Sequence, residues 1–248
     1  MCQNLASKLE LQVELHPFKK GDDSFEALSY GKLAEEYFGE TEENRQDSID
    51  RFRKKLLEQD PSIFQNTPGG DCDRFLLKIL RAGTRSNELG GLDVSNAAKL
   101  LKNLVWMMKS GPKYFEAAFE PGHNVLRQGY AQRAHTILTH RDKFGRRVYF
   151  WRPGSWDPGI MNKHENYQQV YRFFNFSLDL DKVSMQTMFA CGYALLEMVS
   201  VEEKTQIAGV TCVCDASNFG FKHMRNISIE DMKYLALFGQ VCKRVNEN

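Results

Sequence analysis

The sequence carries no surplus charge of either sign. Lys and Arg number 33 against 32 Asp and Glu, a formal net charge of +1. No bulk field therefore draws the molecule toward nucleic acid, and any polyanion contact has to be a local patch. An apolar run long enough to cross a bilayer is also missing, so no segment reads as a membrane span. The first fifteen residues interleave Lys8, Glu10 and Glu14 with apolar residues and lack the apolar core of a secretory signal. Six cysteines stand without a C-x-x-C pair, which fits reduced thiols in the cytosol better than a disulfide framework. Also lacking are a G-x-S-x-G elbow, an H-E-x-x-H pair, a P-loop and the glycine fingerprint of a dinucleotide site. Those absences weaken the hydrolase and oxidoreductase readings.

What is present suffices for a folded chain: 248 residues, 42% hydrophobic and 26% charged. From Tyr30 to Phe119 the periodicity is helical. Thr41 followed by Glu42 and Glu43 predicts a capped helix whose stripe is Ile49, Phe52, Leu56 and Leu57, ended by Asp60-Pro61. A second helix is expected from Asp71, with Phe75, Leu76, Ile79 and Leu80 inward. A third is expected from Asp93, with Ala97, Leu100, Leu101, Leu104, Val105 and Met108 inward before Gly111-Pro112.

The later half changes period. Val148 to Arg152 and Val210 to Asp215 read as strands, and Ser184 to Ser200 between them as a helix showing Met185, Phe189, Gly192, Leu196 and Val199 on one face. Strand, helix and strand at this spacing predict a parallel pair. Another helix, Ser228 to Gln240, is expected to be capped by Ser228. The fold class is thus α/β, a helical bundle followed by a mixed domain.

Few residues suggest chemistry. His123, His135 and His140 lack a cysteine or carboxylate at ligand spacing and read as solvated loop or helix residues. Cys212 and Cys214 share one side of a strand, too few for a tetrahedral metal site, and read as small core residues. Asp215, at the carboxyl end of a parallel strand, reads as a loop cap; a catalytic role would need a partner. The aromatics of this half either line an apolar cavity or fill a core, and periodicity does not separate the two.

The run Asp73-Arg-Phe-Leu-Leu-Lys-Ile-Leu-Arg81-Ala82 resembles, with Asp93-Val94 and Ala98 to Asn103, the N-terminal helical segment of the CRAL-TRIO lipid-transfer family. Arg141-Asp-Lys-Phe-Gly145-Arg-Arg-Val148, then Arg152 to Pro158, resemble the opening of that family's lipid-binding domain. Glu197-Met198 through Thr205 to Asp215 resembles its helix-to-strand passage, and Asp215-Ala-Ser-Asn218-Phe219-Gly-Phe221-Lys222 is similar to the clavesin and tocopherol-transfer branch.

The resemblance implies a tail over 1–30, a helical domain over 31–120 and a lipid-binding domain over 121–248. It implies binding and intermembrane transfer of a hydrophobic ligand of tocopherol, retinoid or phospholipid type, with no catalysis, no cofactor and no metal. The implied pocket residues are Phe150, Phe189, Gly192, Tyr193, Leu196, Val213, Phe219 and Phe221. The implied phosphoinositide or membrane contacts are Arg81, Arg141, Lys143, Arg146 and Arg147. The implied partners are a small hydrophobic lipid and, transiently, an acidic membrane surface, without nucleic acid. The implied location is cytoplasmic, with peripheral association to endosomal or Golgi-type membranes.

Three departures from the family pattern stand out. Thr84 to Gly91 and Gly159 to Asp181 look inserted, the latter holding Tyr171, Phe173, Phe174 and Phe176 as a candidate membrane wedge. Relatives continue past the last helix with further strands and a gate, whereas this sequence stops at Asn248. The expectation is a shortened splice product or an imperfect gene model, with an unpaired sheet edge and an open cavity. A truncated interaction module, and more distantly an α/β hydrolase built on Asp215, are the alternatives.

Overall fold

The computed structural model describes residues 30–84, 91–111, 115, 124–158 and 183–241. Helix α1 (Tyr30–Phe38) is closed by Gly39 in the left-handed region, whose N–H donates to the Glu35 carbonyl at 2.8 Å. Helix α2 (Glu42–Gln59) begins as the sequence predicts. The Thr41 hydroxyl accepts from the Asn44 N–H at 3.3 Å, and Asn44 Oδ1 accepts from the Thr41 N–H at 2.9 Å. Helix α3 (Asp73–Gly83) starts two residues later than expected, because Asp71 and Asp73 both accept from the guanidinium of Arg53 on α2. Helix α4 (Val94–Ser110) is capped by Asp93, whose carboxylate accepts from the Asn96 N–H at 2.9 Å.

These four helices bury Phe38, Phe52, Leu56, Leu76, Leu80 and Leu101 in one cluster. Each such side chain contributes roughly 1.5–3 kcal/mol relative to exposure. The cluster also contains Ile207, from the far half of the chain, so helical layer and α/β part share one core. A domain boundary near residue 120 falls outside the described residues.

After α5 (Asn124–Ala131) come β1 (His135–Arg141) and β2 (Arg147–Trp151), then α6 (Met185–Ser200), α7 (Glu203–Ala208), β3 (Val210–Cys214), α8 (Phe221–Met224) and α9 (Ile229–Val241). The sheet order is β1-β2-β3. Strands β2 and β3 run parallel from Arg147↔Val210 to Trp151↔Cys214, the pair the spacing predicts. Strand β1 pairs antiparallel with β2 and is a correction. His135 and His140 belong to a strand, not to a loop or helix, because the Asp142–Arg146 turn folds this segment back on β2. Gly145 takes φ 76° there, and the Asp142 carboxylate accepts from the Phe144 and Arg146 N–H groups at 2.9 Å. Helix α9 is capped as expected, with Ser228 Oγ accepting from the Asp231 N–H at 3.0 Å.

Candidate functional site

Helix α6 is the centre of the second half, and its apolar run is covered from three directions. Toward the helical layer, Phe189 and Tyr193 pack with Met107, Phe115 and Tyr234. Phe115 meets both rings edge-on, at centroid distances of 5.4 and 5.0 Å. Toward α5, Ala190 and Cys191 pack on Leu126; burial pushes the Cys191 thiol up to about 12. Toward the sheet stands Gly192, where a Cβ would lie 2.9 Å from the Tyr149 hydroxyl and 3.2 Å from His135 Cε1. Glycine is required at this point by close approach. A helix apolar on every side is one that is enclosed, which explains why its sequence shows so weak a polar face.

Sheet alternation divides the expected pocket. His135, Tyr149 and Trp151 point toward α6, while Phe150 and its neighbour Val213 point to the opposite face. Phe189 and Tyr193 therefore do not face Phe150 across a common space; helix and sheet lie between them. Leu196 on α6 is half-buried. Phe219, half-buried, stacks on His223 with centroids 5.0 Å apart. Phe221 stands 78% exposed, and Val213 40%.

Between α6 and the sheet lies a polar group that the sequence did not reveal. His135 Nδ1 and the Tyr149 hydroxyl share a hydrogen bond of 2.5 Å, and the imidazole stacks parallel to Trp151. Burial lowers the His135 pKa to about 4, and the Met188 backbone counters only in part. The ring is therefore neutral at pH 7, and its Nε2 is buried without a hydrogen-bond partner. The reading of His135 as solvated is thereby corrected. Only the strand register, which puts His135 opposite Trp151, could have exposed it.

The basic residues are largely committed within the protein. Arg81 is 1% exposed and grips Glu40 with two nitrogens, Nε at 2.7 Å and a terminal nitrogen at 2.6 Å. It also reaches Glu203 at 2.9 Å and Gln206 at 2.7 Å on α7. Burial alone would lower the Arg81 pKa, but Glu40 and Glu203 outweigh it and raise it. Arg141 and Arg147 converge on Glu202 at 2.7 and 2.6 Å. Burial would raise the Glu202 pKa, yet the bonds from Arg147 and Thr205 bring it below the usual range. Arg146 pairs with Asp142 at 2.7 Å. Of the Arg141–Arg147 run, the three arginines are thus engaged within the protein, while the turn tip between them is exposed. Lys143 alone of the five is exposed, its ammonium over the ring of Phe144, itself exposed at the hairpin tip.

Asp215 does cap its loop, accepting from the Ser217 N–H at 2.9 Å, and the Ser217 side chain and backbone hold its carboxyl below the ordinary range. The loop is seated where Gly154 meets the Ser217 carbonyl with no room for a Cβ, and where the buried His223 Nε2 lies 2.9 Å from the Trp156 carbonyl. Cys212 and Cys214 share one side of β3 as expected, but both are exposed, so their placement in the core is corrected. Among the described residues β3 is the last strand of the sheet, where side chains have less cover. No cluster of metal-ligand type occurs among the described residues. The aromatic wedge at Tyr171, Phe173, Phe174 and Phe176, the tail before Tyr30, His123, most of the Thr84–Gly91 insertion and the chain end lie outside the described residues.

The arrangement defines a class: a mixed α/β domain in which one apolar helix is enclosed between a small sheet and a coat of helices. Residues 131–242 match the family model of the CRAL/TRIO domain, which supports the CRAL-TRIO family for this part of the chain. No curated protein matches the chain. No helix of the described residues is long and apolar enough to cross a membrane.

Proposed function

We propose that this protein binds a lipophilic molecule and carries it between membranes. The observation that carries the reading is the CRAL/TRIO match over residues 131–242, which covers β1, β2, α6 and β3. Physical chemistry supports it. An acyl or isoprenoid tail leaving water contributes roughly 0.8 kcal/mol per buried CH₂, so apolar surface suffices for affinity and no catalyst is needed. The ligand is of tocopherol, retinoid or phospholipid type, in keeping with the resemblance to the clavesin and tocopherol-transfer branch. Its apolar seat is the sheet face of Val148, Phe150 and Val213, the apolar face turned away from α6. Phe189, Gly192, Tyr193 and Leu196 shape the helix behind it, and Phe219 and Phe221 its margin.

Contact with acidic lipid, phosphoinositides included, centres on the β1–β2 hairpin tip. There Lys143 and Phe144 are exposed together, and one basic residue at an acidic surface contributes roughly 1 kcal/mol. Peripheral visits to endosomal or Golgi-type membranes from the cytoplasm would follow. The test is native mass spectrometry of the purified protein with solvent extraction, followed by transfer of a fluorescent tocopherol or phospholipid analogue between vesicles. A co-purified lipophile and protein-dependent transfer are expected. An empty, folded chain that accelerates no transfer of either analogue would refute the reading.

A further inference from the structure

We propose that the outer face of helix α4 docks on the surface of an anionic phospholipid bilayer, with Trp106 entering the headgroup layer and Lys99, Lys102 and Lys109 facing the lipid charge. Such docking does not require that a ligand be carried. Helical spacing puts Lys99, Lys102, Trp106 and Lys109 on one stripe, and all four side chains are exposed. The opposite stripe, with Ala97, Leu101, Leu104 and Val105, is buried in the core that α4 shares with α2 and α3. At about 1.5 Å per residue, the exposed stripe runs roughly 15 Å along the helix.

Charge sets this helix apart. The whole chain is close to neutral, yet the 17 residues of α4 include lysine at 99, 102 and 109 and neither aspartate nor glutamate. On α2, by contrast, bases stand beside acids, Arg51 pairing with Asp47 and Arg53 with Asp50. Among the described residues none of the three α4 lysines makes an ion pair. Asp60, at the end of α2, is held below its ordinary range chiefly by Ser62, and only weakly by Lys109 and Lys102. Helix α9 adds a further cation, for the Lys233 ammonium lies 5.3 Å from the centroid of the Trp106 ring. With Asp60 and Glu230, one turn before Lys233, set against them, the positive groups still outnumber the negative.

Trp106 is 46% exposed in the middle of this stripe. It is not a displaced core residue, since its neighbour Met107 fills the core beside Phe115, Phe189, Tyr193 and Tyr234. An indole with an apolar body and one N–H donor is at home where headgroups meet acyl chains. The shape of the face selects the occupant. Lysines set one after another along a convex helix do not converge on a small anion, and without arginine they do not grip a phosphate with two nitrogens. They suit an extended, diffuse negative field, in which each basic residue strengthens binding about fivefold.

The full chain is tested on vesicles of phosphatidylcholine with and without phosphatidylserine, a portion of the lipid carrying bromine on the acyl chain near the headgroup. Sedimentation with the phosphatidylserine vesicles that weakens as salt rises is expected, with little binding to phosphatidylcholine alone. On bound protein, bromolipid is expected to quench a share of the tryptophan emission that is absent from Trp106→Phe. Half-buried Trp151 and buried Trp156 supply the baseline. Lys102→Gln/Lys109→Gln is expected to weaken binding about 25-fold with unchanged far-UV circular dichroism. Lys143→Gln, at the hairpin tip, is expected to leave the Trp106 quenching per bound molecule intact. Equal binding to both vesicle types, an unquenched Trp106 on bound protein, or a double lysine variant that binds as the unmodified chain does would overturn the proposal. So would capture by soluble polyglutamate without binding to vesicles. Absent lipid transfer with Trp106 still quenched would refute the carrier reading and leave the docking face standing.

Discussion

Removing the Arg81 guanidinium tests the claim that a buried ion pair fastens the helical layer to the α/β part. In Arg81→Met the carboxylate of Glu40, whose side chain is wholly buried, loses both bonds from Arg81 and keeps only Arg45 Nε at 2.7 Å. Breaking a buried pair from one side costs about 3–5 kcal/mol, since the surviving charge stays desolvated. Arg45 remains and Glu203 is largely solvated, so the lower end, about 3 kcal/mol, is expected. The double variant Arg81→Met/Glu40→Gln removes the stranded charge and is expected to recover one to two of those roughly 3 kcal/mol. Arg81→Lys keeps the charge but not the two-nitrogen grip and is expected to fall between. Urea titration followed by tryptophan fluorescence and circular dichroism measures all three. A loss below about 1 kcal/mol for Arg81→Met, the size of a surface pair, would refute the reasoning, as would a double variant no better than the single.

His135 predicts a pH effect. The folded ring refuses a proton until about pH 4, whereas the unfolded chain accepts one below about 6.5. Its contribution is therefore full above pH 6.5 and is lost as pH falls toward 4, by about 3 kcal/mol in all. The urea midpoint at pH 7 minus that at pH 4.5 is expected to be larger in the unmodified protein than in His135→Gln; equal differences would sink the idea. Gly83→Ala separates packing from propensity. Helix propensity alone favours alanine by about 1 kcal/mol, but a Cβ there meets the Ala97 Cα at 2.6 Å and N at 2.7 Å. A lowered melting temperature, from a cost of about 1–3 kcal/mol, is expected; a rise would show that α3 and α4 separate freely.

The sequence by itself determined the local order of this protein. Thr41, Asp93, Ser184 and Ser228 each start a helix because a short side-chain oxygen next to an apolar period has one good use, and the structure puts all four to that use. The parallel pairing of β2 and β3 was likewise legible, since a helix of this length between two strands returns the chain in the same direction. Which face of a strand is covered was not. Phe150 and Tyr149 are equally apolar as neighbours in sequence, and only the position of Gly192 on α6 decides that Tyr149 turns inward. Nor did the sequence show that Arg81, Arg141 and Arg147 are occupied, because Glu40, Glu202 and Glu203 come from 41 to 122 residues away. Charge read along a chain is a surface property until folding supplies its counterion. The same holds for Cys212 and Cys214, which alternation placed on one side of a strand, while only the packing of the described residues leaves both exposed.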